Sequence, residues 1–395
     1  LDETHKEMLR RSVCSPLLLR RRALGRGLSA QVEEVASVCA ASVPWRVEAI
    51  LRSDFSKLDS EAPAMLGRLH ASTAPLIWHK HGSFLDHLRD VWLMLSAWEQ
   101  PRAWCRLGLF HSAYSNSFVA MNCFDVATDR PQLRALIGDE AENLVYKFCV
   151  VDRQRLEDQV LREGVVRDFS CRSIRGDGDV ELSPIEAAAC ITETLADVMD
   201  QSFAWQSDLE QGKTASLWPG VYGPTLRMSK CSKFAAALRA SGVVPEDKLP
   251  PVFDRCSKIL DPQDERHARD LYTRVVFESN GDRLTEKDLT TLLQASAFNP
   301  FVAEPHLARA QILLQMKRFD DAAHAAHQGL DLLCQWATPW DKRMPLHAWL
   351  AWARCLIFQA NLKEWPTTHG GLESLGAIDS TMRTRPLNTS RHLQD

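Results

Sequence analysis

Apolar side chains that recur every three or four residues run through most of this chain, and that period restricts it to helices packed on helices. Phe84, Leu88, Val91, Trp92, Leu95 and Trp98 form one such stripe and predict a helix with a buried face. Ser183-Pro184-Ile185-Glu186 supplies an N-cap serine, a proline at the first helical position and a glutamate at the reciprocal capping position. A second helix therefore starts there and is expected to run to about Asp208. Arg130 to Cys149 reads as a further helix opened by Pro131, and Thr285 opens another with a capping box. No alternating run is long enough to demand a large sheet, so the expected class is all-α.

A chain of 395 residues exceeds what one hydrophobic core usually organises, which predicts at least two packed units. We divide it into a basic helical segment (1–60), a helical bundle (61–210), linker and loops (211–248), a second helical unit (249–366) and a polar, mobile tail (367–395). Within the bundle, 152–182 reads as irregular, with Gly176 and Gly178 marking loops. In the second unit Leu307, Ala310, Leu313, Phe319, Ala322, Ala326 and Leu330 fall on two helices joined by a turn over 317–322. This pattern resembles a tetratricopeptide helix pair, in which small residues let two helices approach.

Charge and cysteine usage exclude several classes. The formal net charge is -4, from 47 basic and 51 acidic side chains, which creates no field for nucleic acid or an anionic membrane. Eleven cysteines occur singly, without a C-x-x-C pair, arguing against a disulfide framework or zinc knuckle and for a reducing compartment such as cytoplasm or plastid. The apolar stretch from Ala348 to Ala360 is interrupted by Arg354 and too short to span a bilayer, so no membrane partner is expected. Arg10, Arg11, Arg20, Arg21, Arg22 and Arg26 read either as a solvated basic helix or as the remnant of a transit peptide.

The polar residues that stand out lie on three predicted helices: His87, the pair His111-Ser112 followed by Ser115-Asn116, and Asp197 with Gln201 one turn later. Leu85-Asp86-His87-Leu88, then Leu109-Phe110-His111-Ser112 and Leu195-Ala196-Asp197-Val198, resemble the HD superfamily, specifically the hydrolase domain of the bifunctional alarmone synthetase/hydrolases. The resemblance covers about residues 80–210 and implies a helical fold with a divalent cation held by His87, His111 and Asp197. The family carries aspartate where this chain has Ser112 and an acidic catalytic pair where it has Ser115-Asn116, which weakens the case for the family's own substrate. Two imidazoles and one carboxylate remain a workable set for manganese, iron or zinc. Beyond residue 80 the chain is more closely similar to a group of plant, algal and bacterial proteins with no assigned activity, through Leu109 to Ser117 and Trp340 to Met344.

Each residue also has an ordinary structural role to set against this. His87 lies on the apolar stripe with Val91 and Trp98, where a histidine is commonly a hydrogen-bonded core residue. By the helical wheel Asp197 falls with Glu193 and Gln201 on the polar side of its helix, as a solvated acid. Ser112 is as apt to bond its own backbone as to orient His111. The leading expectation is a metal-dependent phosphohydrolase acting on a small phosphorylated molecule. In it Ser115 and Asn116 position substrate at the reacting centre, with Ser112, Gln201 and Lys80 supporting from behind. The alternative is a non-catalytic module in which a degenerate HD fold is fused to repeat-like helices that bind a protein partner through 249–366; the tryptophans at 336, 340, 349, 352 and 365 most often fill a core in such helices, with a peptide groove as the sharper alternative.

Overall fold

The computed structural model describes residues 43–79, 82–202, 224–256, 258–278 and 285–363. Within them the fold is all-α, with two short antiparallel hairpins. The expected basic segment before residue 43, Lys80, the continuation of the Ser183 helix toward Asp208, Trp365 and the polar tail lie outside the described residues. No helix among the described residues is long and apolar enough to cross a membrane.

Helices α1 (Trp45–Leu51) and α2 (Ala62–His70) precede a small hairpin of β1 (Trp78–His79) and β2 (Gly82–Ser83). Ser83 then caps α3 (Phe84–Ala97) in a box with Asp86, and the predicted stripe is buried along its length. Next come α4 (Arg102–Phe110), α5 (Arg130–Ile137), α6 (Asp139–Val150) and α7 (Arg153–Glu163). The single helix expected over 130–149 is therefore two. They divide at Gly138, whose φ of 89° ends one helix and starts the next at an angle only glycine adopts freely. The segment expected to be irregular holds α7 and a hairpin of β3 (Phe169–Arg172) and β4 (Asp179–Leu182), in register Phe169 to Leu182 and Arg172 to Asp179. Gly176 and Gly178 do turn its loop, both at positive φ.

Helix α8 (Pro184–Asp200) opens with the predicted box between Ser183 and Glu186. It is the central element. Ala187, Ala188, Ala189, Cys190 and Ile191 are fully buried in succession, so no face of this stretch meets solvent. Small side chains here let α3, α4, α6 and α9 (Met228–Ser241) close around the helix from different sides. Helix α9 forms in a stretch expected to be loop: Met228, Cys231, Phe234, Ala235 and Leu238 dock on α8, and that tertiary contact stabilises a segment with weak local signals.

The remaining helices, α10 (Pro262–Glu278), α11 (Glu286–Phe298), α12 (Glu304–Gln315), α13 (Phe319–Trp336) and α14 (Leu346–Asn361), pack each on its predecessor. Thr285 caps α11 as expected, accepting and returning hydrogen bonds with Asp288. Helices α12 and α13 approach closely at Gly329, where a Cβ would stand 2.5 Å from Leu307 Cδ2. Trp336, Trp340 and Trp349 are buried in this core, as expected of large aromatics on helices, and Trp352 is half-buried. Trp98 Nε1 donates to Gln335 O at 2.8 Å, tying the end of α3 to α13, and one buried apolar network runs from Val47 to Ala360.

Candidate metal centre

The centre forms where α3, the end of α4 and the last two turns of α8 meet. His87 sits one turn into α3, held in the bundle because Leu88 and Val91 beside it are core residues. Its Nδ1 lies 2.7 Å from Asp200 Oδ2. A carboxylate only accepts, which assigns a proton to Nδ1 and aims Nε2 inward. His111 ends α4, and its Nδ1 donates to Gly108 O at 2.7 Å, so its Nε2 lone pair also points inward. The two Nε2 atoms stand 3.3 Å apart, and Asp197 Oδ1 is 3.3 Å from the first of them. One ligand atom from each of His87, His111 and Asp197 lies within 4.8 Å of the others, and all three residues are buried.

Two imidazole Nε2 atoms facing each other beside a carboxylate form a donor set that could hold a cation once the His87 ring gives up its second proton. Burial works against a charged ring, yet hydrogen bonds to Asp197 and Asp200 overcome it and raise His87 to about 10. His111 is held down to about 3, chiefly by burial. Burial would raise Asp197 as well, but His87 and Arg153 prevail and keep it well below the usual carboxylate range. The donor set therefore fits a divalent cation: two oriented imidazoles, one ionised carboxylate, and hydrogen-bond partners that lock each ring. On periodicity Asp197 reads as a solvated acid, whereas it is 6% exposed, because α8 is enclosed on every side at this level.

Around these three the structure adds residues the sequence reading missed. Arg153, at the start of α7, donates from Nη2 to Asp197 Oδ2 at 3.0 Å and to Thr194 Oγ1 at 3.2 Å, with its guanidinium over the Phe148 ring. Glu193, 1% exposed, places Oε1 3.3 Å from His111 Nδ1 and Oε2 4.0 Å from Arg153, yet neither oxygen accepts a hydrogen bond. Burial, reinforced by the charge of Asp197, raises its pKa well above the usual glutamate range. Glu193, Asp197 and Asp200 fall at i, i+4 and i+7 on one helix face. The helical wheel sets Glu193 and Asp197 with Gln201 on the polar side of the helix, and here that side faces the histidines rather than solvent.

The other predicted residues are placed differently. Gln201 belongs to the centre: its Nε2 donates to Asp197 Oδ1 and lies 3.4 Å from His87 Nε2. Asn116 is buried but engaged in its own turn, donating to Ser112 Oγ at 2.9 Å and accepting from the Phe118 and Val119 amides at 2.9 and 3.0 Å. Ser112, fully buried, thus braces that turn. Ser115 adopts a φ of 60°, and its Oγ accepts from Arg175 of the β3–β4 hairpin at 3.2 Å.

Residues 68–153 match the profile of a family described as a domain of unknown function, DUF6817. No curated protein and no solved structure matches the chain. The matched stretch contains His87 and His111 and ends at Arg153, leaving Glu193, Asp197 and Asp200 to the part of the chain beyond it.

Proposed function

We propose that this chain is a metal-dependent phosphohydrolase of HD type, with His87, His111 and Asp197 holding a manganese, iron or zinc ion. The observation that carries the reading is the pair of imidazole Nε2 atoms 3.3 Å apart, each ring's Nδ1 committed elsewhere, next to an ionised carboxylate. A divalent cation bound there would supply a Lewis acid for a phosphoryl oxygen and lower the pKa of a nearby water. The protein's own residues orient and balance. Asp200 and the Gly108 carbonyl fix the two rings, Gln201 steadies one oxygen of Asp197, and Arg153 neutralises the other. A small phosphorylated molecule is the substrate class that such chemistry would serve.

The positions where the resembled family has acids argue for altered chemistry, since Asn116 and Ser112 are tied into a turn rather than aimed at the ligands. This favours, as a second reading, an ion that braces the bundle of a non-catalytic module.

Elemental analysis by plasma mass spectrometry on protein purified without chelator tests the centre. Near-stoichiometric metal in the wild type, lost in His87→Ala and His111→Ala, is the expected result, and phosphate release from a phosphoester panel then separates the enzyme from the structural site. Wild-type protein that takes up no manganese, iron or zinc, even after incubation with each, would overturn the reading.

A further inference from the structure

The carboxylate that orients His87 is itself served from far along the chain. Asp200 is 1% exposed and gives Oδ2 to His87 Nδ1. Its other oxygen, Oδ1, lies 3.9 Å from Lys342 Nζ, and that lysine's side chain is 3% exposed. Lys342 stands in the loop between α13 and α14, inside the Trp340 to Met344 segment that the sequence singled out and that the proposed function leaves unused.

That loop is held from several directions. Glu304 Oε1, at the start of α12, accepts from the amides of Trp340 and Asp341 at 2.7 and 3.0 Å. Tyr272 of α10 donates to Asp341 Oδ2 at 2.8 Å, and Trp349 Nε1 of α14 donates to Asp341 O at 2.9 Å. Lys342 Nζ donates to Thr338 Oγ1 within the loop. Three helices of the C-terminal region therefore clamp one loop, and the residue the loop carries inward is a lysine beside Asp200.

The chemistry gives this placement a purpose. His87 would bind an ion through Nε2 while Asp200 fixes its ring at Nδ1, so the aim of Asp200 sets the aim of the donor. Lys342 Nζ faces the Asp200 oxygen that His87 leaves, and opposite charges attract strongly in a buried, low-dielectric surrounding. We infer that Lys342 is a positioning residue of the metal centre: it holds Asp200 aimed at His87, and so couples the C-terminal helices to metal affinity. The inference rests on the metal reading above, and its test separates the two.

A cavity of about 530 Å³ borders both Lys342 and Asp200, which makes chemical rescue feasible. Manganese affinity is measured by titration for wild type, Lys342→Met, Lys342→Ala and Lys342→Arg in the full-length chain, with folding followed by circular dichroism. Loss of a partner at this remove from the metal is expected to weaken binding by about 10- to 100-fold in K342M and K342A. Ethylammonium, entering the vacated space, should restore part of the affinity of K342A but not of K342M, and K342R should retain more than K342M. Folded variants that bind manganese as tightly as wild type would overturn the inference, and so would a K342A defect that no amine repairs. If K342A does not fold, the comparison of K342M with K342R decides. If wild type binds no manganese, the metal reading fails by itself. The ¹⁵N shifts of the His87 ring in metal-free protein then decide: a change in K342M supports the positioning role, and identical shifts refute it.

Discussion

Replacing Asp59 by asparagine probes how the helix bearing His111 is held in place. Asp59, just before α2, accepts two hydrogen bonds from Arg106 of α4, at 2.7 Å from Nε and 2.8 Å from Nη2, while Nη1 donates to Ile137 O at 2.8 Å. Both residues are 6% exposed. The amide of D59N keeps one acceptor, turns an N–H₂ toward the guanidinium, and removes the carboxylate bonded to it. Breaking a buried pair from one side leaves an uncompensated charge and costs about 3–5 kcal/mol. Against a typical total of about 5–15 kcal/mol, that is a large fraction of the stability. The exposed pair Arg239–Glu246 is the control, since E246Q should change stability by less than about 0.5 kcal/mol. D59L combined with R106M should recover most of the loss, because the desolvation cost of both charges disappears together. Burial by itself would raise the pKa of Asp59, but the hydrogen bonds from Arg106 outweigh it and hold it below the ordinary aspartate value of about 3.9. The contribution is therefore complete above that value and is lost as pH falls through the folded-state pKa, so the gap between wild type and D59N should narrow on acidification. Urea unfolding followed by tryptophan fluorescence at neutral and acid pH measures both effects. A D59N protein within about 1 kcal/mol of wild type at pH 7, or a gap that widens in acid, would refute the reasoning.

Three further outcomes are expected. In Gly108→Ala the new Cβ would sit 2.5 Å from Leu95 Cδ1 and 3.1 Å from Val91 Cγ1. The overpacking cost of about 1–3 kcal/mol should exceed the gain of about 1 kcal/mol in helix propensity, and a thermal melt showing a more stable variant would contradict the close approach of α3 and α4. Asn116→Ala should lose about 1–3 kcal/mol by stranding the Phe118 amide and leaving the Val119 amide only the longer bond to the carbonyl of residue 116, yet keep its metal; retained stability with metal lost would place Asn116 at the ion instead. Manganese at about 100 times its dissociation constant should stabilise wild type by about 2.7 kcal/mol, as read by thermal unfolding, and should leave His111→Ala unmoved.

What the sequence determined by itself is local. The period of Phe84, Leu88, Val91, Trp92 and Leu95, the Ser183 and Thr285 capping boxes, and the loop glycines 176 and 178 appear where their chemistry puts them, because each needs only neighbours within a turn or two. His87, His111 and Asp197 were also legible as a set, and the structure brings their donor atoms together. Helix α9 was not legible, since its stability comes from docking on α8 rather than from its own caps. The helical wheel of α8 shows an acidic stripe at 193, 197 and 200, but a wheel cannot say whether a stripe faces water or a histidine. That was decided by enclosure: alanines on the remaining faces let four helices close around α8, and the acids became partners of His111, His87 and Arg153. The lysine beside Asp200 lies 142 residues further along (342 − 200), and only the packing of the last five helices, which clamps its loop, carries it there.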